Sequence, residues 1–105
     1  MTKTVLEAER AGEFCRVFGD TPRNRILEHF LAMRELDFSI ADVARESGLN
    51  RATTYNAAEL LIRQKVLVPT RRVGVTQLYR LNSGKPEVQA LIQAFDVVIG
   101  KLYER

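Results

Sequence analysis

The stretch IADVARESGLNRATTYNAAELL, residues 40–61, decides the fold because it predicts two short helices that cross at a sharp turn. Val43 and Leu49 supply apolar packing where the helices meet. Ala44 is small enough for the second helix to pass close to the first, and Gly48 permits the positive φ that such a turn requires. The segment therefore predicts a tightly joined pair of helices.

Capping residues mark the ends of both helices. Ser39 is suited to cap a helix from Ile40 to about Ser47, with Asp42 near the positive end of the helix dipole. Asn50 is suited to cap the next helix, which we expect to run to about Gln64. The turn between these two helices is therefore only a few residues long.

Two further helices precede this pair. Thr21 and Pro22 form an N-cap and first-turn pair, and apolar residues then recur at helical spacing as far as Met33. An earlier helix is predicted over Val5–Phe18 and is ended by Gly19. Both helices carry an apolar face, but only the later one is predicted to form the core, since the apolar side of the earlier one has no obvious partner nearby in sequence.

A basic hairpin and a final helix follow the pair. Gly74 marks the hairpin turn, and Pro69, which has no N–H, has to occupy an edge position. After the loop 82–84, Pro86 opens a helix that runs nearly to the C-terminus. We therefore predict a mainly α fold with a small β-hairpin, divided into residues 1–20, 21–82 and 83–105.

Composition restricts the class of protein. The 105 residues suit one domain, and 46% hydrophobic residues are enough for a core. The single Cys15 excludes an internal disulfide, and together with the one histidine, His29, it is too little for a Cys/His metal cage. No signal peptide, catalytic set or phosphate-binding glycine loop is present. We expect a soluble, cytoplasmic protein that is not an enzyme and needs no metal or cofactor.

Positive charge is concentrated in one segment. Residues 48–82 hold six basic residues and one acidic residue, a net charge of +5, whereas the whole chain carries +3. Such a distribution is typical of a protein with one face against a polyanion. It predicts that the second helix of the pair and the hairpin face nucleic acid.

From Pro22 to Asn82 the chain resembles winged helix-turn-helix transcriptional regulators of the ArsR and MarR-like kind, particularly small archaeal ones. Thr54 departs from their pattern, which has an apolar residue at this inward position of the recognition helix. The resemblance implies a winged helix-turn-helix with extra N- and C-terminal helices. It also implies a recognition helix in the major groove of double-stranded DNA and a hairpin wing against a phosphate backbone or minor groove.

The resemblance assigns candidate DNA contacts to the first two turns of the recognition helix and to the wing. Arg51 suits bidentate contact with guanine, and Asn56 carries an amide suited to adenine. Thr53 and Tyr55 suit phosphates or a thymine methyl group. The full predicted set is Asn50, Arg51, Thr53, Tyr55, Asn56, Arg71, Arg72 and Thr76.

The first and last helices predict self-association. Their apolar stripes are broad enough to leave surface exposed after one side packs on its own domain. Homodimerisation would cover the exposed apolar surface of both helices. The alternative is a monomer that buries both helices on itself. The predicted dimer contacts are Phe14, Phe18, Leu91, Phe95, Ile99 and Leu102.

Three functions fit these features. The leading one is a sequence-specific regulator of transcription, associated with the nucleoid. A second is a DNA-organising or partition protein of the same fold. The third is a protein-interaction winged-helix module, which would not bind DNA in a salt-dependent manner.

Overall fold

The structure, a computed structural model, describes residues 12–103. Within this range the chain forms five helices and one two-stranded antiparallel sheet. The part of the predicted first helix before residue 12 lies outside the described residues. In chain order the elements are α1 (residues 12–18), α2 (Pro22–Ala32), α3 (Ile40–Ser47), α4 (Arg51–Arg63), β1 (Leu67–Val73), β2 (Thr76–Leu81) and α5 (Pro86–Tyr103).

Three helices begin at the capping residues that the sequence predicts. The side-chain oxygen of Thr21 accepts a hydrogen bond from the Asn24 amide at the start of α2. Ser39 caps α3 in the same way at 3.1 Å, and the Asn50 Oδ1 accepts from the Thr53 amide at 2.8 Å. Each cap satisfies a backbone N–H that the helix leaves without a partner.

The turn between α3 and α4 has the predicted geometry. Gly48 ends α3 in the left-handed region with φ of +70°. The Leu49 amide donates to the Ala44 carbonyl at 3.1 Å, which closes the C-terminus of α3. Ala44 itself is buried where the helices meet. These features confirm the predicted sharp turn.

The sheet is extended by one residue of the loop that precedes α3. Strands β1 and β2 pair from Leu67 with Leu81 outward to the turn. On the other side of β2, the amide and carbonyl of Tyr79 each bond the backbone of Phe38 at 2.8 Å. Pro69 therefore lies on an outer strand, as predicted, because β2 occupies the middle position.

One hydrophobic core joins all of these elements. The centre is α2, where Ile26, Leu27, Phe30 and Leu31 are almost completely buried. Side chains from α3, α4 and the base of the hairpin pack around it. The flanking helices also enter this core, through Phe14, Cys15, Val88 and Phe95.

His29 lies on the side of α2 that faces the loop before α3. Its ring makes an edge contact with Phe38, with ring centroids 4.5 Å apart. Its Nε2 is buried and has no hydrogen-bond partner among the described residues. Burial lowers the pKa of His29 from its ordinary value of 6.5, because the charged form would lose its hydration.

We expect acid to destabilise the protein through His29. The unfolded chain binds a proton near pH 6.5 while the folded chain resists it, so the free energy of unfolding falls as pH drops below that value, by at most about 1.4 kcal/mol per pH unit. His29→Phe keeps an aromatic ring and removes the titration. Urea unfolding of both proteins from about pH 7.5 to about pH 5.5 measures the difference. Burial raises the pKa of Glu28, but this contribution is common to both proteins and cancels. An equal acid loss in the variant would contradict the assignment to His29.

Loss of the Asn50 cap should destabilise α4. Asn50→Ala removes the acceptor for the Thr53 amide and should lower the free energy of unfolding by about 1 kcal/mol. Asn50→Ser retains an acceptor oxygen at this position, so it should retain most of the stability. Urea unfolding of the three proteins gives the comparison. Equal losses in both variants would show that the cap is not what Asn50 contributes.

Candidate nucleic-acid interface

The first turns of α4 present an exposed arginine and tyrosine side by side. The Cζ of Arg51 lies 5.7 Å from the ring centroid of Tyr55, one helical turn later. Both side chains are exposed, Tyr55 at 44%. An aromatic face attracts a guanidinium group and limits the directions in which it points. Arg51 is therefore oriented outward from the helix with its charge open to solvent.

Thr54 occupies the inward face of the same helix. It is fully buried, and its hydroxyl donates to the Asn50 carbonyl at 2.7 Å. A buried hydroxyl bonded to the carbonyl four residues earlier carries no unsatisfied polar group. This bond explains how a threonine fills a position where an apolar residue is usual.

A groove separates the exposed face of α4 from the tip of the hairpin. Its volume is about 550 Å³. Tyr55 and Asn56 line the helix side, while Val75 and Thr76 line the hairpin side. Three of the predicted contact residues, distant in sequence, therefore meet along one groove.

A second groove, of about 420 Å³, runs along the other side of α4. Thr53 and Asn56 line it together with Pro22 and the exposed Arg23 at the start of α2. Asn56 lines both grooves, so it lies on the crest of α4 between them. The predicted contacts on α4 thus form one continuous outward face.

Asn50 and Arg71 are already engaged within the chain. Asn50 uses its side-chain oxygen to cap α4, which leaves its amide NH₂ as the group that faces outward. The Arg71 Nε donates to the Asp37 carboxylate at 3.0 Å. Arg72, the next residue, is exposed and has no acidic partner within residues 12–103.

Asp37 is the residue that the sequence analysis did not find. It lies in the loop between α2 and α3, more than thirty positions from its partners in β1. Hydrogen bonds from Arg71 and then Thr70 lower the pKa of the Asp37 carboxyl to about 2. No local pattern indicates a pair at this separation, because only the folding of β1 against the loop brings the residues together.

Pairing reduces the charge that this surface presents. Of the six basic residues between positions 48 and 82, Arg71 is held by Asp37 and Arg63 by Glu59. The other four have no acidic partner among the residues that the structure describes: Arg51, Lys65, Arg72 and Arg80. The surface is still basic, but its free charge lies at the start of α4, at the end of α4 and on the hairpin.

The predicted dimer residues divide into two groups. Phe14 and Phe95 pack on each other, with ring centroids 6.2 Å apart, and both are buried within the chain. Leu91 and Ile99 are partly buried against the same core, and the side chain of Leu102 lies outside the described residues. Phe18, in contrast, is 52% exposed.

An open apolar groove of about 620 Å³ lies between α1 and α5. Phe18 lines one side, and Ala94 and Val97 line the other. Val97 is 62% exposed, although the sequence analysis did not select it. Val97 lies beside the predicted apolar stripe of α5, and the stripe alone does not show which side of the helix meets the core.

Other kinds of site have no support in the described part of the chain. No group of three or more histidine, cysteine or acidic side chains within it could hold a metal ion. None of its helices combines the length and apolar character needed to span a membrane. Cys15 is buried, and burial raises the pKa of its thiol to about 12, which keeps it protonated and unreactive at neutral pH.

Comparison with known proteins gives structural matches only. No protein-family model matches the sequence, and a search of curated proteins finds no significant match. MepR, a transcription regulator of the Staphylococcus aureus multidrug efflux pump MepA, is 17% identical and superimposes with a TM-score of 0.59 over 98% of this chain and 77% of its own. NolR from Sinorhizobium fredii is 19% identical, with a TM-score of 0.59 over 95% of this chain and 94% of its own.

A third structure is described in terms of its DNA-binding domain. Fragment 1–100 of Mb0332 from Mycobacterium bovis is described as a homodimeric winged helix-turn-helix DNA-binding domain and a possible ArsR-family transcriptional regulator. It is 20% identical, with a TM-score of 0.57 over 98% of this chain and 87% of its own. The likeness at these identities concerns the fold, and it confirms the predicted architecture: this chain is a winged helix-turn-helix, mainly α with a small β-hairpin.

Proposed function

We propose that this chain is a homodimeric, sequence-specific regulator of transcription that binds double-stranded DNA. The observation that carries the proposal is the shared groove: outward residues of α4 and of the hairpin tip line it together with the start of α3, and both α4 and the hairpin belong to the segment that holds the excess of positive charge. The structural neighbours described as transcription regulators support the same reading.

The dimensions of α4 suit the major groove of DNA. Its 13 residues span about 20 Å at the usual rise per residue. An α-helix of this diameter fits the major groove, where base edges present a distinct pattern of donors and acceptors. Arg51, Tyr55 and Asn56 are exposed on the N-terminal turns of α4, which bring them to the base edges.

These residues have different tasks in the proposed complex. Arg51 reads guanine through its guanidinium fork, and the Tyr55 ring beneath it limits the entropy lost on binding. Asn56, on the crest of α4, is placed to read adenine through its amide. Thr53 and the Asn50 amide lie at the edge of this surface and contact the phosphate backbone.

The wing supplies affinity more than sequence recognition. Arg72 and Thr76 flank the exposed turn at Gly74 and contact phosphate oxygens or a narrow minor groove. Of the two adjacent arginines in β1, Arg72 is the one that is free to do so, since Arg71 is paired with Asp37. Residues 21–82 thus form the DNA-binding part of the chain.

Residues 1–20 and 83–105 hold two copies together in this proposal. The groove between Phe18 and Val97 offers apolar surface that a second copy would cover. Two-fold symmetry then places two α4 helices on successive major grooves. Such a dimer acts where chromosomal DNA lies, in association with the nucleoid in the cytoplasm.

Arg51→Ala should weaken binding to the preferred DNA site more than binding to DNA of unselected sequence. On the preferred site, obtained by selection from random DNA, the loss should be about 1 to 3 kcal/mol, and on unselected DNA it should be much smaller. Arg63→Ala is the matched control, since Arg63 lies on the same helix and is paired with Glu59. Titrations of both variants at two salt concentrations provide the measurement.

Equal losses by Arg51→Ala on both kinds of DNA would assign this arginine to the backbone. An unmodified chain that binds every sequence equally would instead be a DNA-organising protein. A chain without any salt-dependent DNA binding would favour the protein-interaction module.

Val97→Glu should convert the dimer into a monomer without disturbing the core, because Val97 is exposed within the groove. Gln89→Glu makes a comparable change at an exposed position of α5 outside the groove and should leave the dimer intact. Sedimentation at micromolar concentration distinguishes the two states.

The same dimer predicts the form of the DNA site. Half-site centres should lie about 10 to 10.5 base pairs apart, or a multiple of this, and inserting about five base pairs should reduce affinity towards that of one half-site. A monomeric unmodified chain, or affinity that is indifferent to the insertion, would contradict the dimer.

A further inference from the structure

The wing is fastened to the body of the protein through Asp37. Its carboxylate accepts hydrogen bonds from the Thr70 hydroxyl at 2.7 Å, the Arg71 Nε at 3.0 Å and the Arg71 Nη2 at 3.4 Å. The next residue, Phe38, pairs with Tyr79 in β2. The loop between α2 and α3 therefore holds both strands of the hairpin, β2 through the backbone and β1 through one carboxylate.

A bulge in β1 allows two consecutive side chains to reach the same carboxylate. Pro69 pairs with Tyr79 and Arg72 pairs with Gln77, so β1 has one residue more than β2 between these pairs. At the bulge, the Gln77 side-chain amide donates a hydrogen bond to the Arg71 carbonyl at 3.1 Å. In a regular strand neighbouring side chains point to opposite faces, and the bulge removes this alternation for Thr70 and Arg71.

The two adjacent wing arginines are therefore electrostatically different. Asp37 stays ionised at neutral pH, because its hydrogen bonds lower its pKa to about 2, so its pair with Arg71 carries no net charge. Arg72 has no such partner within residues 12–103 and keeps its full charge. A neutral ion pair releases few counterions from DNA, whereas a free arginine at a phosphate releases about one.

We propose that Asp37 sets the selectivity of DNA binding by withholding Arg71 from the phosphate backbone, so that of the two adjacent arginines in β1 only Arg72 contacts it. The inference rests on the proposed function. A phosphate contact strengthens binding to every sequence alike, so each additional one raises non-specific affinity without improving discrimination. With Arg71 held back, a larger share of the binding free energy comes from the base contacts of α4.

The test compares the salt dependence of binding to random-sequence duplex DNA. Asp37→Asn removes the charge but keeps an oxygen that can accept from Thr70. Released from the pair, Arg71 should add about 0.9 to the magnitude of the slope of log affinity against log salt. The loss of affinity between about 50 and about 200 mM salt should then grow by about 3.5-fold. The ratio of specific to random affinity should fall.

Five further variants, one of them a control, identify the group responsible for the change in slope. Arg71→Ala alone leaves the Asp37 carboxylate unpaired and should not raise the magnitude of the slope, whereas Arg72→Ala should lower it by about 0.9. The double variant Asp37→Asn with Arg71→Ala should return to the original slope. Asp37→Glu restores a carboxylate and should keep the original slope too. Glu35→Gln, which removes a charge two residues away without releasing an arginine, is the matched control and should change nothing.

These measurements test the role of Asp37 and the proposed function separately. An unchanged slope in Asp37→Asn, or an increase that persists in the double variant, would overturn the inference alone. A slope below the original in the double variant would overturn it too, because that variant carries no charge at either position and Arg71 would already contact a phosphate in the unmodified chain. Absence of salt-dependent binding by the unmodified chain would overturn the proposed function, and the role of Asp37 with it.

Discussion

The close crossing of α3 and α4 is the constraint on which the rest of this structure depends. Gly48 adopts a left-handed conformation with φ of +70°, and the buried Ala44 leaves room for the second helix. A side chain with a Cβ would be strained at this φ, so the turn could not be as sharp. Because the crossing fixes the rotation of α4, it also decides that Thr54 faces inward and that Arg51, Tyr55 and Asn56 face outward.

The hairpin depends on the same framework through the loop that leads into α3. Phe38 extends the sheet, and Asp37 holds β1, so the wing has a defined position beside α4. An isolated two-stranded hairpin is only marginally stable in water. The attachment to the loop and the burial of Leu67 and Leu81 make this one a fixed wall of the groove.

The charge on the surface formed by α4 and the hairpin depends on which residues the fold brings there. The +5 of residues 48–82 describes the chain as a sequence, whereas the folded surface includes Asp37 from outside that segment. Glu59, which pairs with Arg63, is already counted in that +5, so Asp37 leaves four cations on this surface that are unpaired among the described residues. The result is a surface on which a few unpaired cations lie beside the residues proposed to read bases, and in the proposed complex this favours moderate affinity with discrimination over strong binding to any DNA.

The sequence by itself determined the elements and their limits. Thr21, Ser39 and Asn50 cap the helices that they were predicted to cap, and Gly48 and Gly74 adopt positive φ at the predicted turns. These features depend on residues within about four positions of each other, since caps and turns are formed by local hydrogen bonds and by the φ that each residue permits. They can be read from a short window of residues.

Only the tertiary structure decided which apolar residues of the first and last helices stay exposed and which arginines of the wing stay unpaired. Phe14 and Phe95 of the predicted apolar stripes are buried in the chain's own core, while Phe18 and Val97 stay exposed, because the packing of α1 and α5 selects one side of each stripe. Arg71 and Arg72 are equivalent in sequence, yet a bulge and a distant carboxylate make one an ion pair and leave the other free. Such differences arise from contacts between residues far apart in the chain, which no local pattern encodes.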